Sequence, residues 1–223
     1  MGTLSIVATP IGNLGDITFR GLWNLKEANA IYAEDTRVIS KLLSHYGLRT
    51  SVFRLDAATE TTKAKEIAER LIRGEHVAFV SDAGTPGVSD PGARLVAYVR
   101  ESVPDATIDA IPGPSALTAA LSIAGLSTDK FLFLGFLPHK KGRQTALKGI
   151  AQCTVPVVLY ESPHRILKLL TELSKFAPKS RVTIARELTK IHEEVLVGKP
   201  LELAAQLEKK KAVRGEFVVI VET

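Results

Sequence analysis

Short β-branched runs and amphipathic stretches alternate along this chain. "LSIVAT", "AIYA", "HVAFVS" and "ATIDAI" have the length and bounding residues of buried strands. Between them lie "TKAKEIAERLIRG" and "GARLVAYVRES", which predict helices. In the former, Ile67, Leu71 and Ile72 form an apolar stripe and Gly74 supplies a stop signal. Strands alternating with helices predict a mostly parallel sheet covered on both faces. After "IPGPSALTAALSIAG" the alternation resumes with "FLFLGFL", "VPVVLY", "RVTIAR" and "GEFVVIVE" as strands, and with helices near 141–151, 163–176 and 200–209. "KIHEEVLVG" is one further strand, which makes this second half a mixed sheet. "IPGP" at 111–114 breaks the chain. The pattern therefore predicts the α/β class, with two α/β domains spanning 1–112 and 113–223.

Composition narrows the class without naming a function. With 223 residues, 45% hydrophobic and 24% charged, the chain can bury real cores. No apolar run approaches the roughly 18 residues of a membrane span. "MGTLSIVATPIG" lacks a secretory signal, and Ile6 stands where a myristoylation signal has Ser or Thr. Cys153 is the only cysteine, so neither a disulfide framework nor a thiolate metal cluster is expected, and the expected location is cytoplasmic. Charge is unevenly placed. Residues 1–129 hold 12 Lys/Arg and 15 Asp/Glu, whereas residues 130–223 hold 17 and 9. No acidic residue occurs from Lys130 to Tyr160. A basic second half points to a polyanionic partner, with a merely solvated basic surface as the alternative.

The familiar nucleotide and catalytic signatures are missing. There is no P-loop, "GNLGD" is not G-x-G-x-x-G, no H-E-x-x-H or Cys/His cluster points to a metal, and no G-x-S-x-G elbow is present. What stands out instead is a set of loops after strands, where open α/β sheets bind ligands. "ATPIGNLGD" turns tightly at Pro10, Gly12 and Gly15. In "AEDTR", Asp35 or Thr36 caps a helix over 37–46, which leaves Glu34 and Arg37 to explain. "SDAGTPGVSDPG" is longer than a turn needs, is stiffened by Pro86 and Pro91, and has glycines that let another molecule approach the main chain. In "PGPSAL", Ser115 sits at an N-cap position. The basic half carries "FLPHKKGRQ", where His139, Lys140, Lys141 and Arg143 are candidate phosphate contacts, together with "YESPHR" and "IARELTK".

Taken in order, "VATPIGNLGDIT", "AEDTR", "SDAGTPGVSDPG", "PGPSAL", "GFLP", "YESPHR", "ARELTK" and "GEFVVIV" resemble the ribosomal RNA small subunit methyltransferase I family of the tetrapyrrole methylase superfamily. The resemblance runs through nearly all of the chain. It implies methylation of a cytidine ribose 2′-hydroxyl in 16S rRNA, S-adenosylmethionine (SAM) in the cleft between two α/β domains, and a homodimer. It places cofactor contacts at Pro10, Asp82, Gly84, Thr85, Ser115, Ala116, Tyr160, Ala185 and Phe217. The family pattern continues past "GEFVVIVE" into a small helical region, whereas this sequence stops at Thr223. If that region grips RNA, the expectation is SAM binding with weakened methylation.

A ribose hydroxyl is a poor nucleophile at neutral pH, so a base is expected to take its proton. The candidates are Glu34, Asp35, Glu161 and Glu187, which the sequence does not rank. Arg37, His139, Lys140, Lys141, Arg143, His164, Arg165 and Arg186 are the candidates for holding RNA phosphates or orienting those carboxylates. Two other functions compete: methylation of a small tetrapyrrole, and RNA binding without catalysis.

Overall fold

The computed structural model describes residues 1–210 and 213–223 and divides the chain into two compact units, Met1–Ser115 and Ala116–Thr223.

The first unit is built on five parallel strands: β1 (Thr3–Val7), β2 (Ala30–Ala33), β3 (Val52–Arg54), β4 (His76–Val80) and β5 (Thr107–Ile111), in the order β3-β2-β4-β1-β5. Its helices are α1 (Phe19–Glu27), α2 (Thr36–His45), α3 (Glu60–Ile72) and α4 (Ala93–Ser102), with a 3-10 turn at Leu14–Asp16. The central strands β2 and β4 are almost continuously apolar because both faces are covered. Along β2, Ala30 and Tyr32 face a core shared with α3 and α4, while Ile31 and Ala33 face a second core shared with α1 and α2. Along β4, Val77 and Phe79 join the first core, Ala78 and Val80 the second. Each fully buried large aliphatic contributes roughly 1.5–3 kcal/mol of transfer free energy, so these two cores carry the unit. The stripe of α3 is Ala64, Ile67, Ala68 and Leu71. Ile72, expected on it, is 57% exposed, because the helix has turned it outward.

After β1 the chain moves to one side of the sheet through α1, and after β4 it crosses to the other side through α4. The neighbouring ends of β1 and β4 are therefore a topological switch point, where such sheets open a ligand site. The loops leaving those strands meet there. Thr9 and Gly84 exchange both backbone hydrogen bonds, each at 2.9 Å.

The second unit contains α5 (Ala116–Ile123), β6 (Leu132–Phe136), α6 (Arg143–Gln152), β7 (Val157–Glu161), α7 (Ile166–Phe176), β8 (Arg181–Arg186), β9 (Glu194–Gly198), α8 (Pro200–Lys209) and β10 (Phe217–Glu222). Its sheet runs β6-β7-β10-β8-β9; only β6 and β7 pair in parallel. This is the mixed sheet expected from "KIHEEVLVG". One face packs Val157, Leu159, Ile184 and Val219 against α6, α7 and α8. The α/β class is confirmed. Two elements had no clear signal: β3 is three residues long, too short for a period, and α1 carries exposed Phe19 and Trp23 that blur its stripe.

Candidate active site

Glu34, Asp35, Thr36, Arg37, Arg54 and Asp82 line a cavity of about 480 Å³ at the carboxyl ends of β2, β3 and β4. Asp35 is the N-cap of α2: its Oδ1 accepts from the Arg37 backbone N–H at 2.8 Å and from Arg37 Nε at 2.9 Å. Those bonds hold its carboxyl at about 2, below the ordinary carboxylate range. The Asp35 N–H in turn donates to Asp82 Oδ1 at 2.8 Å, tying the loop after β4 to the loop after β2.

Glu34 lies in a different setting. Burial pushes its carboxyl above the usual value, and Asp82, Asp90, Asp56 and Asp35 add to the push in that order. Asp90 is raised as well, by burial first and then by Asp82, against a hydrogen bond from Ser81. Like charges crowded into a partly desolvated mouth favour the protonated form, and such perturbed groups are candidates for proton transfer.

Beside this mouth lies a smaller cavity of about 50 Å³ lined by Thr9, Pro10, Leu14, Val38, Ile39, Leu42, Ser81 and Asp82. Its apolar wall comes from α2 and its polar edge from the loops after β1 and β4. Gly84, with φ +78°, could not carry a side chain without strain, and a Cβ there would touch Ile11 at 3.4 Å. The far end of that long loop is pinned by Glu60. This buried carboxylate accepts from the backbone N–H groups of Gly92, Arg94 and Leu95 at 3.0–3.1 Å and so caps α4, whose N-cap is a glycine. Gly92 is required: a Cβ there would lie 2.7 Å from the Phe79 ring. Thr85 Oγ1 donates to Pro114 O at 3.3 Å, joining this loop to "PGPS".

In the second unit the expected site residues divide sharply. His139, Lys140, Lys141 and His164 are exposed. Arg143 is 4% exposed and bonds Glu172 Oε2 through Nε at 2.8 Å and Pro138 O through Nη1 at 3.2 Å. Arg165 Nε lies 2.7 Å from Glu161 Oε1, and its Nη1 donates to Leu137 O at 3.1 Å. Glu161 is fully buried at its side chain and also accepts from Ser162 N–H at 2.8 Å; its Oε2 faces Arg143 Nη2 at 3.8 Å. Arg186 donates to Arg214 O at 2.8 Å. Arg143, Arg165 and Glu161, expected at an RNA face or as a base, are paired with one another and with neighbours inside the second unit, and Arg186 bonds Arg214 O there. The physical reason is burial: a charge taken out of water has to be paired.

Glu187 adopts φ +50° and accepts from Lys190 Nζ at 2.8 Å and from the Glu216 N–H at 3.0 Å. Burial raises its carboxyl, but these donors outweigh it and leave it below the usual range. Among the residues expected to meet the cofactor, Tyr160 packs edge-on against Phe133 and Phe136, while Ala185 and Phe217 are 1% and 2% exposed. Arg54 in the cavity lining, Asp90 near Glu34 and Glu60 under the loop after β4 were not singled out by the sequence pattern. Asp90 was within the quoted loop; Glu60 carried no signal, because its partners are N–H groups some 32 residues away.

The profile of the tetrapyrrole (corrin/porphyrin) methylases matches residues 3–204. A ribosomal RNA small subunit methyltransferase I from Borrelia garinii subsp. bavariensis is 46% identical over 98% of this chain and 97% of its own length. Another, from Thermotoga maritima, is 43% identical over 99% of this chain and 98% of its own. The chain belongs to the ribosomal RNA small subunit methyltransferase I family. It is thus a methyltransferase of the tetrapyrrole methylase fold. That fold is shared with the methyltransferase CobJ (TM-score 0.73, 20% identity, 100% of this chain and 95% of that one). It is also shared with uroporphyrin-III C-methyl transferase from Thermus thermophilus complexed with S-adenyl homocysteine (TM-score 0.68, 18% identity, 99% and 97%).

Proposed function

We propose that this methyltransferase moves the methyl group of SAM to the 2′-hydroxyl of a cytidine ribose in 16S rRNA of the small ribosomal subunit. One observation carries the choice of RNA over a tetrapyrrole. Relatives named as ribosomal RNA methyltransferases are 46% and 43% identical to the chain over almost all of it, whereas the methyltransferase CobJ and uroporphyrin-III C-methyl transferase are 20% and 18% identical and share the fold.

The first unit fits the donor. SAM supplies a methyl group on a positively charged sulfur, and the mouth lined by Glu34, Asp35 and Asp82 is acidic. Asp82 has one oxygen committed to Asp35 and is otherwise exposed. The apolar wall of Leu14, Val38, Ile39 and Leu42 suits a flat ring. Pro10, Asp82, Gly84 and Thr85 hold the donor in this reading, with Ser115, Ala116, Tyr160, Ala185 and Phe217 as further contacts. Holding donor and acceptor in line can remove on the order of 7–11 kcal/mol from a barrier in ideal cases.

Glu34 is the base. Asp35, held low by Arg37, is too weak an acceptor; Glu161 is enclosed by arginines; Glu187 is committed to Lys190. The target ribose is unstacked before reaction, and exposed His139, Lys140 and Lys141 hold flanking phosphates. A homodimer acting in the cytoplasm completes the proposal. Labelled SAM incubated with unmethylated small subunits should transfer its methyl group to a cytidine 2′-oxygen, with uroporphyrinogen left unlabelled. Label in uroporphyrinogen alone would overturn the RNA assignment; failure of calorimetry to detect SAM binding would overturn the donor.

A further inference from the structure

We propose that Arg54 pairs with Arg37 as a clamp for the backbone phosphate next to the target ribose, a polyanion site at the rim of the cavity that holds Glu34. The proposal rests on the RNA reading above. The two guanidiniums come from different elements, Arg54 from the end of β3 and Arg37 from the first turn of α2, and both line the same cavity of about 480 Å³. Both are open to solvent, with side-chain exposures of 70% and 86%. Their fields overlap at one point, since Asp35 is lowered first by Arg37 and more weakly by Arg54.

Each arginine has donors to spare. Arg37 commits Nε and Nη2 to Asp35, and Arg54 places Nη2 2.8 Å from Asp56 Oδ2. A guanidinium carries five N–H groups in a planar fork, so each can still grip phosphate oxygens. Nor are the pairs needed to hold the fold. Asp56 Oδ1 already accepts from Ala58 N, Thr59 N and Thr59 Oγ1 at 2.9–3.1 Å, and Asp35 already caps α2 through the Arg37 N–H.

The surrounding charge gives the clamp a purpose. Glu34, Asp35 and Asp82 line the cavity, and Asp56 and Asp90 act on Glu34 from nearby. An RNA backbone brought to such a mouth meets net repulsion. Two guanidiniums at the rim offset part of that charge where the phosphate passes while leaving Glu34 facing the sugar. Removing one should therefore cost more than losing a phosphate contact on a neutral surface.

The test compares Arg54→Ala and Arg54→Lys with the unaltered chain in methyl transfer to unmethylated small subunits across a salt series, with SAM affinity and thermal midpoint measured in parallel. The clamp predicts that KM for the subunit rises about tenfold or more in Arg54→Ala. The rise should be smaller in Arg54→Lys, which keeps charge but loses the fork. The slope of log affinity against log salt should fall by about one in Arg54→Ala. SAM affinity and thermal midpoint should stay in place. An unchanged KM and slope in Arg54→Ala, beside an active unaltered chain, would refute the clamp. A parallel fall in SAM affinity would refute it too, by placing Arg54 at the donor. If the unaltered chain failed to methylate RNA at all, the RNA reading itself would fall and take the clamp with it.

Discussion

Glu34 follows "AIYA" and Glu161 closes "VVLY"; each ends a buried strand, and an arginine follows three residues later in one case and four in the other. In sequence they look alike. In the first unit, Glu34 lines a half-buried mouth where burial and then four aspartates raise its carboxyl, and its own arginine is taken by Asp35. In the second, Glu161 is sealed at its side chain, bonded to Arg165 and faced by Arg143. A carboxylate crowded by like charges is ready to hold a proton. One bonded to an arginine and buried among its neighbours works as a fastener. What separates a reactive group from a structural one here is which neighbours the fold brings in from other elements.

The sharpest way to break this contrast is Glu34→Gln. Loss of a positioned base should slow methyl transfer roughly 10²–10⁴-fold, with SAM affinity and thermal midpoint no lower than before. Single-turnover kinetics would check it. Wild-type turnover in this variant would remove Glu34 from the chemistry and erase the distinction drawn here.

Glu161→Ala should do the reverse. Breaking this buried ion pair takes the carboxylate acceptor from Arg165, while Arg143 keeps Glu172, and should cost about 3–5 kcal/mol in urea unfolding. Truncating Glu34 to Ala in the same assay should move stability by no more than about 0.5 kcal/mol, as expected of a side chain without fixed partners. Equal losses at the two positions would mean that Glu34 is also part of the scaffold.

Most of the architecture was readable along the chain because the strands advertise themselves. β2, and β4 from Val77 on, are apolar at every position since both faces are covered, and the loop after β4 carries glycines at the positive φ its turns require. The candidate site was only half readable. "AEDTR", "YESPHR" and "RELTK" each offer a carboxylate near a cation, and no local pattern says which pair points into a core. Arg143 reads as part of a basic surface run, yet Glu172, 29 residues away on α7, draws it inside. Arg54 stands in a strand of three residues that gave no periodic signal, so its place beside Glu34 emerged only from the pairing of β3 with β2.

The smallest expected effect is also the most discriminating, because it depends on the sign of the Glu34 shift. Its carboxyl titrates higher in the folded chain than in the unfolded one. A raised group contributes stability that is fully present below the unfolded value, near 4.3, and is lost as pH climbs through the folded value. At neutral pH the ionised Glu34 is therefore a net cost to the fold. Glu34→Gln, which mimics the protonated form, should be slightly more stable than the parent at pH 7, by less than about 1 kcal/mol given its partial exposure. That gap should close below about pH 4, where the parent is protonated too. Turnover should follow the opposite course in the parent, falling as acid protonates the base, with its midpoint above the ordinary carboxylate value. Asp35, held at about 2, is too acidic to produce such a limb. An acid limb at or below the ordinary value, or a glutamine variant less stable than its parent at neutral pH, would show that the carboxylates around Glu34 leave its proton affinity where water would set it.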